Sequence, residues 1–253
     1  MSTNKIALVT GGSRGLGKNM ALKIAEKGLD VIITYHNNKD AALEVVSEIE
    51  KLGNKGVAFQ LDTTNTASFK AFFEKIAAYL KENYGSGTLD YLVNNAGTGI
   101  YKPFLETTES DFDEMMNIHI KGVYFLSQQA APLLSDGGGI INISSGLVRF
   151  SLPGSSAYAS MKGAVDVFTR YLAKELSNRK IRANVVAPGA VATDFGGGEN
   201  KENDKKRALI SQNTALGRVG EPEDIGGIVA FLCTEDAGWI NGQRIEATGG
   251  LML

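Results

Sequence analysis

The chain has 253 residues, of which 43% are hydrophobic and 21% are charged, and this balance is ordinary for a folded globular protein. Its formal net charge of −2 gives no basic excess, which argues against a nucleic-acid partner, and its apolar runs are too short for a membrane span. A single cysteine, Cys233, excludes an internal disulfide and a cysteine metal site, so we expect it in the core and expect no metal.

The order of patterns along the chain predicts strands that alternate with helices. The first strand pattern begins at Lys5, which leaves no room for a signal peptide, so a cytoplasmic location is expected by default. Short apolar runs predict strands at 6–9, 31–34, 56–62, 89–97, 139–145 and 181–189, with a further apolar stretch at 243–247. Helical spacing predicts helices at 18–27, 40–52, 69–83, 115–134, 157–177 and near 222–234, and the fourth is expected to be buried because it is apolar on more than one face.

This alternation predicts a single α/β domain over residues 1–253, with a doubly wound parallel sheet and helices on both faces. Ligands of such sheets bind beyond the carboxyl ends of the strands. The predicted strand ends carry small and polar residues, in TGGSRGLG (10–17), LDTTN (61–65), NNAG (94–97), NISSG (142–146) and VAPGAVATD (186–194). We therefore expect these five segments to converge on one site.

A glycine-rich loop separates the first strand from the first helix. Glycines there let the backbone approach a phosphate, and the helix that follows points free amides at the anion. The spacing of Gly11, Gly15 and Gly17 departs from the usual G-x-G-x-x-G pattern of dinucleotide sites. Residues 12–18 also fit the start of a triphosphate-binding loop, although Asn19 stands where that loop needs Ser or Thr. A structural turn without a ligand is the third interpretation.

Tyr158 and Lys162 are four residues apart in a predicted helix, which places both on one face. A lysine charge next to a phenol is expected to lower the phenol pKa toward the range of a general acid or base. Ser145 ends the preceding strand, where its hydroxyl could hold a substrate oxygen beside the phenol. The alternative is that a Tyr and a Lys at this spacing occur by chance on a helix surface.

Taken with the glycine loop, these motifs give the chain a resemblance to the short-chain dehydrogenase/reductase family over essentially its full length. The matching segments are TGGSRGLG (10–17), LDT (61–63), NNAG (94–97), NISS (142–145), YASMK (158–162), PGAVAT (188–193) and the ending GRVGEPEDIGGIVAFLC…GQRIEATGG. The resemblance implies a Rossmann-type sheet, a nicotinamide cofactor and hydride transfer between a carbonyl and a secondary alcohol.

The resemblance also implies a role for each matched residue. Tyr158 would be the proton donor for reduction or the base for oxidation, Lys162 would bind the nicotinamide ribose, and Ser145 would polarise the carbonyl. The implied cofactor-binding residues, including the two just named, are Gly11, Ser13, Arg14, Gly15, Leu16, Gly17, His36, Asp62, Thr63, Asn94, Ala96, Gly97, Tyr158, Lys162, Pro188, Gly189, Val191 and Thr193.

One position departs from the family pattern. The family usually has an asparagine on the helix before the catalytic serine, where it anchors a water in a proton relay, but alignment on Gly122 puts His119 there. Asn117, two residues earlier, would face elsewhere on a helix. A neutral imidazole can both donate and accept, so His119 is a candidate catalytic residue, and a hydrogen-bonded core histidine is the alternative.

The residues after the second strand favour NADP(H) over NAD(H). NAD sites usually place an acid about 20 residues beyond the glycine loop, but residues 34–38 are Thr-Tyr-His-Asn-Asn. The nearest acid, Asp40, is expected to cap the next helix. Arg14, in the loop, could grip a 2′-phosphate with its forked guanidinium, and His36, Asn37 and Lys39 could assist.

The sequence predicts a ketone or carbonyl reductase and leaves the substrate open. Reduction of a 3-oxoacyl thioester is one alternative, and a cofactor-binding sensor or scaffold without activity is another. Variable residues at about 146–156 and 194–212 are expected to shape the substrate pocket, with Leu147, Val148, Phe150 and Leu152 making it apolar and Arg149 on the surface. The family resemblance suggests a homotetramer or homodimer that takes a small-molecule carbonyl or alcohol and binds neither nucleic acid nor membrane.

Overall fold

The structure is a computed structural model that describes residues 4–253. Seven parallel strands form one sheet in the order β3-β2-β1-β4-β5-β6-β7, which confirms the predicted doubly wound α/β fold. The strands are β1 (Ile6–Val9), β2 (Asp30–Tyr35), β3 (Gly56–Gln60), β4 (Leu89–Asn94), β5 (Leu134–Ile143), β6 (Arg182–Pro188) and β7 (Arg244–Ala247).

The main helices are α1 (Gly15–Glu26), α2 (Lys39–Lys51), α3 (Phe69–Tyr84), α4 (Glu109–Met116), α5 (Val123–Ala130), α6 (Ser156–Glu175), α7 (Glu199–Glu202), α8 (Asp204–Gln212) and α9 (Glu223–Leu232). Within residues 4–253, none of the helices is long and apolar enough to cross a bilayer.

Side chains alternate between the two faces of the sheet and build a separate core on each. Ala7 and Val9 of β1 face the layer of α1, α2 and α9, where the buried Cys233 also packs as expected. Ile6 and Leu8, the alternate residues of the same strand, face the layer of α3, α5 and α6. The helices therefore cover both faces, and only the strand ends remain open to a ligand.

The predicted strand ends were wrong at three places that matter for the site. β3 stops at Gln60 and β4 stops at Asn94, so Leu61–Asp62 and Asn95–Gly97 belong to loops. β5 begins at Leu134, earlier than predicted, and ends at Ile143, so Ser145 does not end the strand but caps the short turn that follows it. The cap of α2 was also wrong, because Asn38 accepts the Ala41 amide hydrogen at 3.0 Å, while Asp40 lies within the first turn.

The long helix predicted at 115–134 is several helical segments in succession. α4 begins six residues earlier than predicted, at Glu109, because Thr108 and Asp111 form a capping box. A π-helical turn, Asn117–Gly122, then joins α4 to α5, and a 3-10 turn, Ala131–Leu133, ends the run. The π turn lies directly against the carboxyl edge of the sheet and carries His119.

Candidate active site

A cavity of about 950 Å³ lies at the carboxyl edge of the sheet. It runs from the glycine loop, across the ends of the strands, to the start of α6 and the segment that contains α7 and α8. The predicted residues that line it are Gly11, Ser13, Arg14, Gly15, Leu16, Gly17, His36, Asp62, Thr63, Ala96, Gly97, His119, Ser145, Tyr158, Lys162, Pro188, Gly189, Val191 and Thr193. The structure thus brings together every predicted site residue except Asn94.

Asn94 points away from the cavity into the protein interior. Its side-chain amide donates hydrogen bonds to Ser127 Oγ at 2.9 Å and to Asn142 Oδ1 at 2.7 Å. Asn142 in turn donates to Thr169 Oγ1 at 2.8 Å. This buried chain of polar groups joins β4 and β5 to α5 and α6, so the side chain of Asn94 serves the sheet beneath the site.

The next residue, Asn95, lines the cavity, as expected for the NNAG segment, although it is not among the cofactor-binding residues named individually. Its side chain donates to Thr10 O at 2.9 Å and to Gly11 O at 3.3 Å. The Thr10 hydroxyl accepts the amide hydrogens of Asn95 and Ala96 at 2.9 and 3.0 Å. These bonds fasten the NNAG turn to the glycine loop. Asn94 is the last residue of β4 and Asn95 is the first residue of the loop, which is what separates the two.

The glycine loop is shaped for close backbone approach. Gly11 and Gly15 have φ angles of +64° and +53°, a region that residues with side chains rarely adopt. A Cβ on Gly17 would lie 2.1 Å from Gly11 O, so only glycine fits there. No side chain caps the first turn of α1, which leaves its amides facing the cavity. This end of the helix is suited to a phosphate anion.

The triphosphate-loop interpretation does not survive in the structure. Lys18 Nζ lies 2.8 Å from Glu48 Oε1, so this ammonium is paired with α2 instead of reaching across the loop. Asn19 is buried and donates to Glu223 Oε1 at 3.1 Å, on the side of α1 that packs against α9. Neither residue of that motif is available to a phosphate or its metal.

Arg14 and His36 lie at the outer end of the cavity, both exposed. No acidic residue follows β2 within this part of the wall, where Thr34, Tyr35 and His36 line the cavity. His36 Nε2 is 3.9 Å from Asp62 Oδ2. Partial burial would raise the pKa of Asp62, but hydrogen bonds from Thr64 and the nearby His36 hold it below its ordinary value. A cation and a histidine therefore face the end of the cavity farthest from Tyr158.

Ser145, Tyr158 and Lys162 meet at the inner end of the cavity, and all three side chains are buried. Ser145 Oγ accepts the Leu147 amide hydrogen at 3.2 Å, which leaves its own hydrogen free to donate. Lys162 Nζ donates to Ile143 O at 2.8 Å and lies 5.6 Å from the centre of the Tyr158 ring. β5 and α6 thus position the serine and the Tyr–Lys pair from two directions.

The net pKa of Tyr158 is raised in this arrangement, whereas the sequence predicts a lowered one. Burial raises the pKa of Tyr158 far above its ordinary value, Tyr101 adds to the rise, and the Ser145 hydrogen bond works in the opposite direction. The cause is that burial removes the water that would stabilise a phenolate. Burial also lowers the pKa of Lys162 to about 8, against the opposing effect of Asp166. At neutral pH the phenol holds its proton and is a donor.

His119 forms the wall next to Tyr158. Its ring meets the Tyr158 ring edge-on, with centroids 4.9 Å apart, and its Nε2 is 2.6 Å from Thr98 O. A carbonyl only accepts, so Nε2 carries the hydrogen and Nδ1 is the acceptor. Nδ1 is buried and has no hydrogen-bond partner among residues 4–253. Burial and the Lys162 charge hold the pKa of His119 well below its ordinary value.

Two aromatic rings, unnoticed in the sequence, stand beside Tyr158. Tyr101 and Phe195 have ring centroids 6.1 and 5.9 Å from that of Tyr158. A Cβ on Gly99 would lie 2.9 Å from both rings, so this glycine gives them room to meet. Of the predicted pocket residues, Leu147, Phe150 and Leu152 line the cavity, as do many residues of the 194–212 segment, whereas Val148 does not.

Arg149 lies outside the cavity lining, as expected. Its Nη2 donates to Leu251 O at 2.8 Å, and its Nε is 3.6 Å from Glu246 Oε1. It therefore ties the end of the chain to β7.

Comparison with known proteins agrees with this geometry. A family model described as enoyl-(acyl carrier protein) reductase matches residues 11–252. A hydroxynaphthalene reductase-like protein of Metarhizium brunneum is 38% identical over 97% of this chain and 94% of its own length. This chain belongs to the short-chain dehydrogenase/reductase family. It is an oxidoreductase of that family, as the sequence predicts.

Two solved structures of the family are close to this one. The promiscuous reductase LugOII, which catalyses keto-reduction at C1 in lugdunomycin biosynthesis, is 37% identical with a TM-score of 0.93, over 99% of both chains. The landomycin C-6 ketoreductase LanV, solved with bound NADP and rabelomycin, is 38% identical with a TM-score of 0.89, over 99% of this chain and 97% of its own. The fold of this chain is therefore that of known ketoreductases.

Proposed function

We propose that this protein is an NADPH-dependent reductase that converts a ketone into a secondary alcohol. The observation that carries the proposal is the buried set of Ser145, Tyr158 and Lys162 at one end of a cavity whose other end is the glycine loop. The relatives that act as ketoreductases, and the NADP bound by LanV, support the same reaction here.

The residues present fit a dinucleotide phosphate. The uncapped first turn of α1 offers amides to a pyrophosphate, and Arg14 and His36 flank the outer end, where a 2′-phosphate needs donors. Ala96, Gly97 and residues 188–193 would hold the nicotinamide end beside Tyr158. When bound, the cofactor supplies the hydride, and the protein supplies orientation and proton handling.

The side chains at the inner end suit proton delivery to a carbonyl oxygen. Ser145 donates a hydrogen bond to that oxygen, and the neutral Tyr158 phenol gives it a proton as the alcohol forms. Lys162, held by Ile143 O, keeps a positive charge near the phenol and stabilises the phenolate left behind. General acid catalysis of this kind contributes roughly 10²–10⁴-fold to the rate.

His119 is proposed as a further member of this machinery. Its Nδ1 lies buried on the cavity wall without a partner, so it can accept a hydrogen bond from a water or a hydroxyl there. Because the low pKa keeps the ring neutral, it accepts at any physiological pH.

The substrate proposed is a planar aromatic ketone. Tyr101 and Phe195 flank Tyr158, and Leu147, Phe150 and Leu152 extend the apolar wall. Flat aromatic walls favour an offset-stacked or edge-on aromatic partner. The name of the Metarhizium relative points to a hydroxynaphthalene, a fused aromatic compound, in that protein, which supports the same class here.

The test is a substrate panel followed by NADPH absorbance, with hydroxylated tetralones and naphthoquinones, aliphatic ketones, a 3-oxoacyl thioester and an enoyl thioester. We expect the aromatic ketones to give the highest kcat/KM. Tyr158→Phe, which keeps the ring, should bind NADPH with unchanged affinity and lose at least 100-fold in kcat, about the share of a general acid. Preference for a thioester would replace the substrate proposed, and NADPH binding without turnover of any compound would favour a cofactor-binding sensor.

We also propose that copies of this chain assemble as a homodimer or homotetramer. α5 and α6 expose a group of apolar side chains, with Tyr124 43%, Phe125 39%, Val167 46% and Tyr171 63% accessible. Contiguous apolar surface of this kind marks interaction sites.

One sheet holds both Ile6 and Ala247, which supports a single dinucleotide-binding and catalytic domain over residues 1–253, with 194–212 as its variable substrate loop. The cytoplasmic location stays a prediction.

A further inference from the structure

A partly buried ion pair lies next to the proposed catalytic residues. Asp166 follows Lys162 by one turn of α6, and its Oδ2 accepts a hydrogen bond from Arg244 Nε at 2.7 Å. The two side chains are only 7% and 23% exposed. The partners are 78 residues apart in sequence, so the bond joins α6 to β7. Removing charges from water costs free energy that offsets much of their attraction, so such a pair is weak evidence for a stabilising role alone.

The same guanidinium also holds the strand end that carries the serine. Arg244 Nη2 donates to the backbone carbonyl of Ser145 at 2.8 Å. Ser145 follows β5 by two residues, whereas Tyr158 and Lys162 come from α6. A single planar side chain therefore connects the element that carries the serine with the element that carries the Tyr–Lys pair. A forked guanidinium fixes both distance and direction, which a lysine ammonium does not.

Asp166 also places a negative charge on the Lys162 side of the site. Its second oxygen, Oδ1, is buried without a hydrogen-bond partner among residues 4–253, so Arg244 holds only one side of the carboxylate. Burial lowers the pKa of Lys162 to about 8, and Asp166 opposes that fall. The other titratable groups that face Lys162 are Tyr158 and His119, and both are neutral near pH 7.

Other charges surround Arg244 and complete the cluster. Glu246 Oε1 pairs with Arg244 Nη1 and also lies 3.6 Å from Arg149 Nε. The cluster thus holds two carboxylates and two guanidinium groups, from Asp166, Glu246, Arg149 and Arg244. With this balance, the removal of Asp166 leaves a net positive charge beside Lys162.

We propose that Asp166 and Arg244 are positioning residues, which together fix Ser145 against Tyr158 and keep Lys162 in its charged form. This inference rests on the proposed reductase function, and it adds two residues that touch neither substrate nor cofactor. Arg244 acts through its hydrogen bond to the Ser145 carbonyl, and Asp166 acts through its negative charge near Lys162.

A second arginine offers a control at the amino end of β5, in an ion pair with Asp136 that is more exposed, with side chains 31% and 75% accessible. Arg179 Nε donates to Asp136 Oδ1 at 2.8 Å, and its Nη1 donates to Ala131 O at 2.7 Å. It also bonds an acid and backbone carbonyls next to β5, but far from the carboxyl edge of the sheet. Variants of Arg179 and Asp136 therefore report what the loss of such an anchor does to the fold alone.

The test compares Asp166→Asn and Arg244→Lys with Asp136→Asn and Arg179→Lys, using the best ketone of the panel. For Arg244→Lys we expect a fall of about tenfold in kcat, with the KM for ketone and the Kd for NADPH within about twofold, because the fork that sets the serine is lost. For Asp166→Asn we expect the alkaline limb of the kcat profile to move to lower pH by roughly one unit, since Lys162 loses its proton sooner. The two control variants should keep the wild-type kcat and pH profile.

A measurement without turnover separates this inference from the proposed function. In protein labelled with ¹³C at lysine Cε, with the Lys162 resonance identified by its loss in Lys162→Arg, Asp166→Asn should lower the titration midpoint of that resonance. An unchanged midpoint, with kcat of both site variants within twofold of wild type, would overturn the proposal even in an active enzyme. If the wild type reduces no ketone, the proposed function fails, and the lysine titration still decides the role of Asp166. Thermal melting of all four variants checks that they fold. If Asp166→Asn does not fold, Arg244→Lys, which keeps the positive charge at this position, still tests the proposal.

Discussion

Replacement of Asn94 by alanine separates a structural role from cofactor binding. The family resemblance assigns Asn94 to the cofactor, but its amide donates to Ser127 Oγ and Asn142 Oδ1 inside the protein. Alanine removes both bonds and leaves Asn142 Oδ1, which is fully buried, without its donor. An orphaned buried polar group costs about 1–3 kcal/mol, and the vacated volume adds to this. We expect a loss of about 2–4 kcal/mol in the free energy of unfolding.

The measurements are urea and thermal unfolding, both monitored by circular dichroism, together with NADPH titration of the folded variant. At about 2–4 °C per kcal/mol for a chain of this size, the melting temperature should fall by roughly 5–15 °C. The NADPH Kd should stay within about twofold, because the side chain does not line the cavity. Unchanged stability with NADPH affinity weakened tenfold or more would refute this reasoning and return Asn94 to the cofactor site.

Three further predictions concern residues around the cavity and on the surface. Arg14→Ala should weaken NADPH binding about 10–100-fold and leave NADH binding almost unchanged, since a charge-assisted fork to a phosphate contributes about 1.5–3 kcal/mol; equal losses for both cofactors would contradict this. His119→Ala should lower kcat and alter its pH profile, and unchanged turnover and profile would remove His119 from the mechanism. The pKa of buried His119 is depressed, so the unfolded chain takes up a proton that the folded protein does not. The wild type should therefore lose stability as pH falls below about 6.5, and the variant should lose less. Trp239, the only tryptophan, is 100% exposed in the single chain, so we expect the proposed assembly to cover it and acrylamide quenching of its fluorescence to rise on dilution; quenching that does not depend on concentration would contradict this.

The sequence predicted the sheet and most of the cavity because both follow from local patterns. Alternating apolar runs set the parallel fold, and the small residues after each run could only collect at one edge. The choice between Asn94 and Asn95 required more, since it depends on where β4 ends and the loop begins. Even so, the expected end of that strand at Gly97 hid the point where the chain leaves the sheet.

Contacts between distant segments escaped the sequence reasoning for a different reason. Tyr101 and Phe195 are 94 residues apart in the sequence. Both lie beside Gly99 and Tyr158 only because two loops fold over the same edge of the sheet. Arg244 lay within an apolar stretch, and nothing local marked its bond to Asp166. The pKa of Tyr158 was predicted in the wrong direction because the sequence shows neighbours along a helix but not the loss of solvent around them.

The π turn explains how a histidine can occupy the wall beside Tyr158. A helical period read from sequence does not reveal a π turn, which usually appears as a single turn within a longer helix, often at a functional site. Here the turn places His119 on the cavity wall while Asn117 stays outside it. Gly97 makes this possible, because a Cβ there would lie 2.7 Å from His119 Cε1. The Thr98 carbonyl then fixes which nitrogen carries the hydrogen. The turn, the glycine and the carbonyl together leave one buried acceptor without a partner on a residue of the cavity wall, and core packing alone does not require this arrangement.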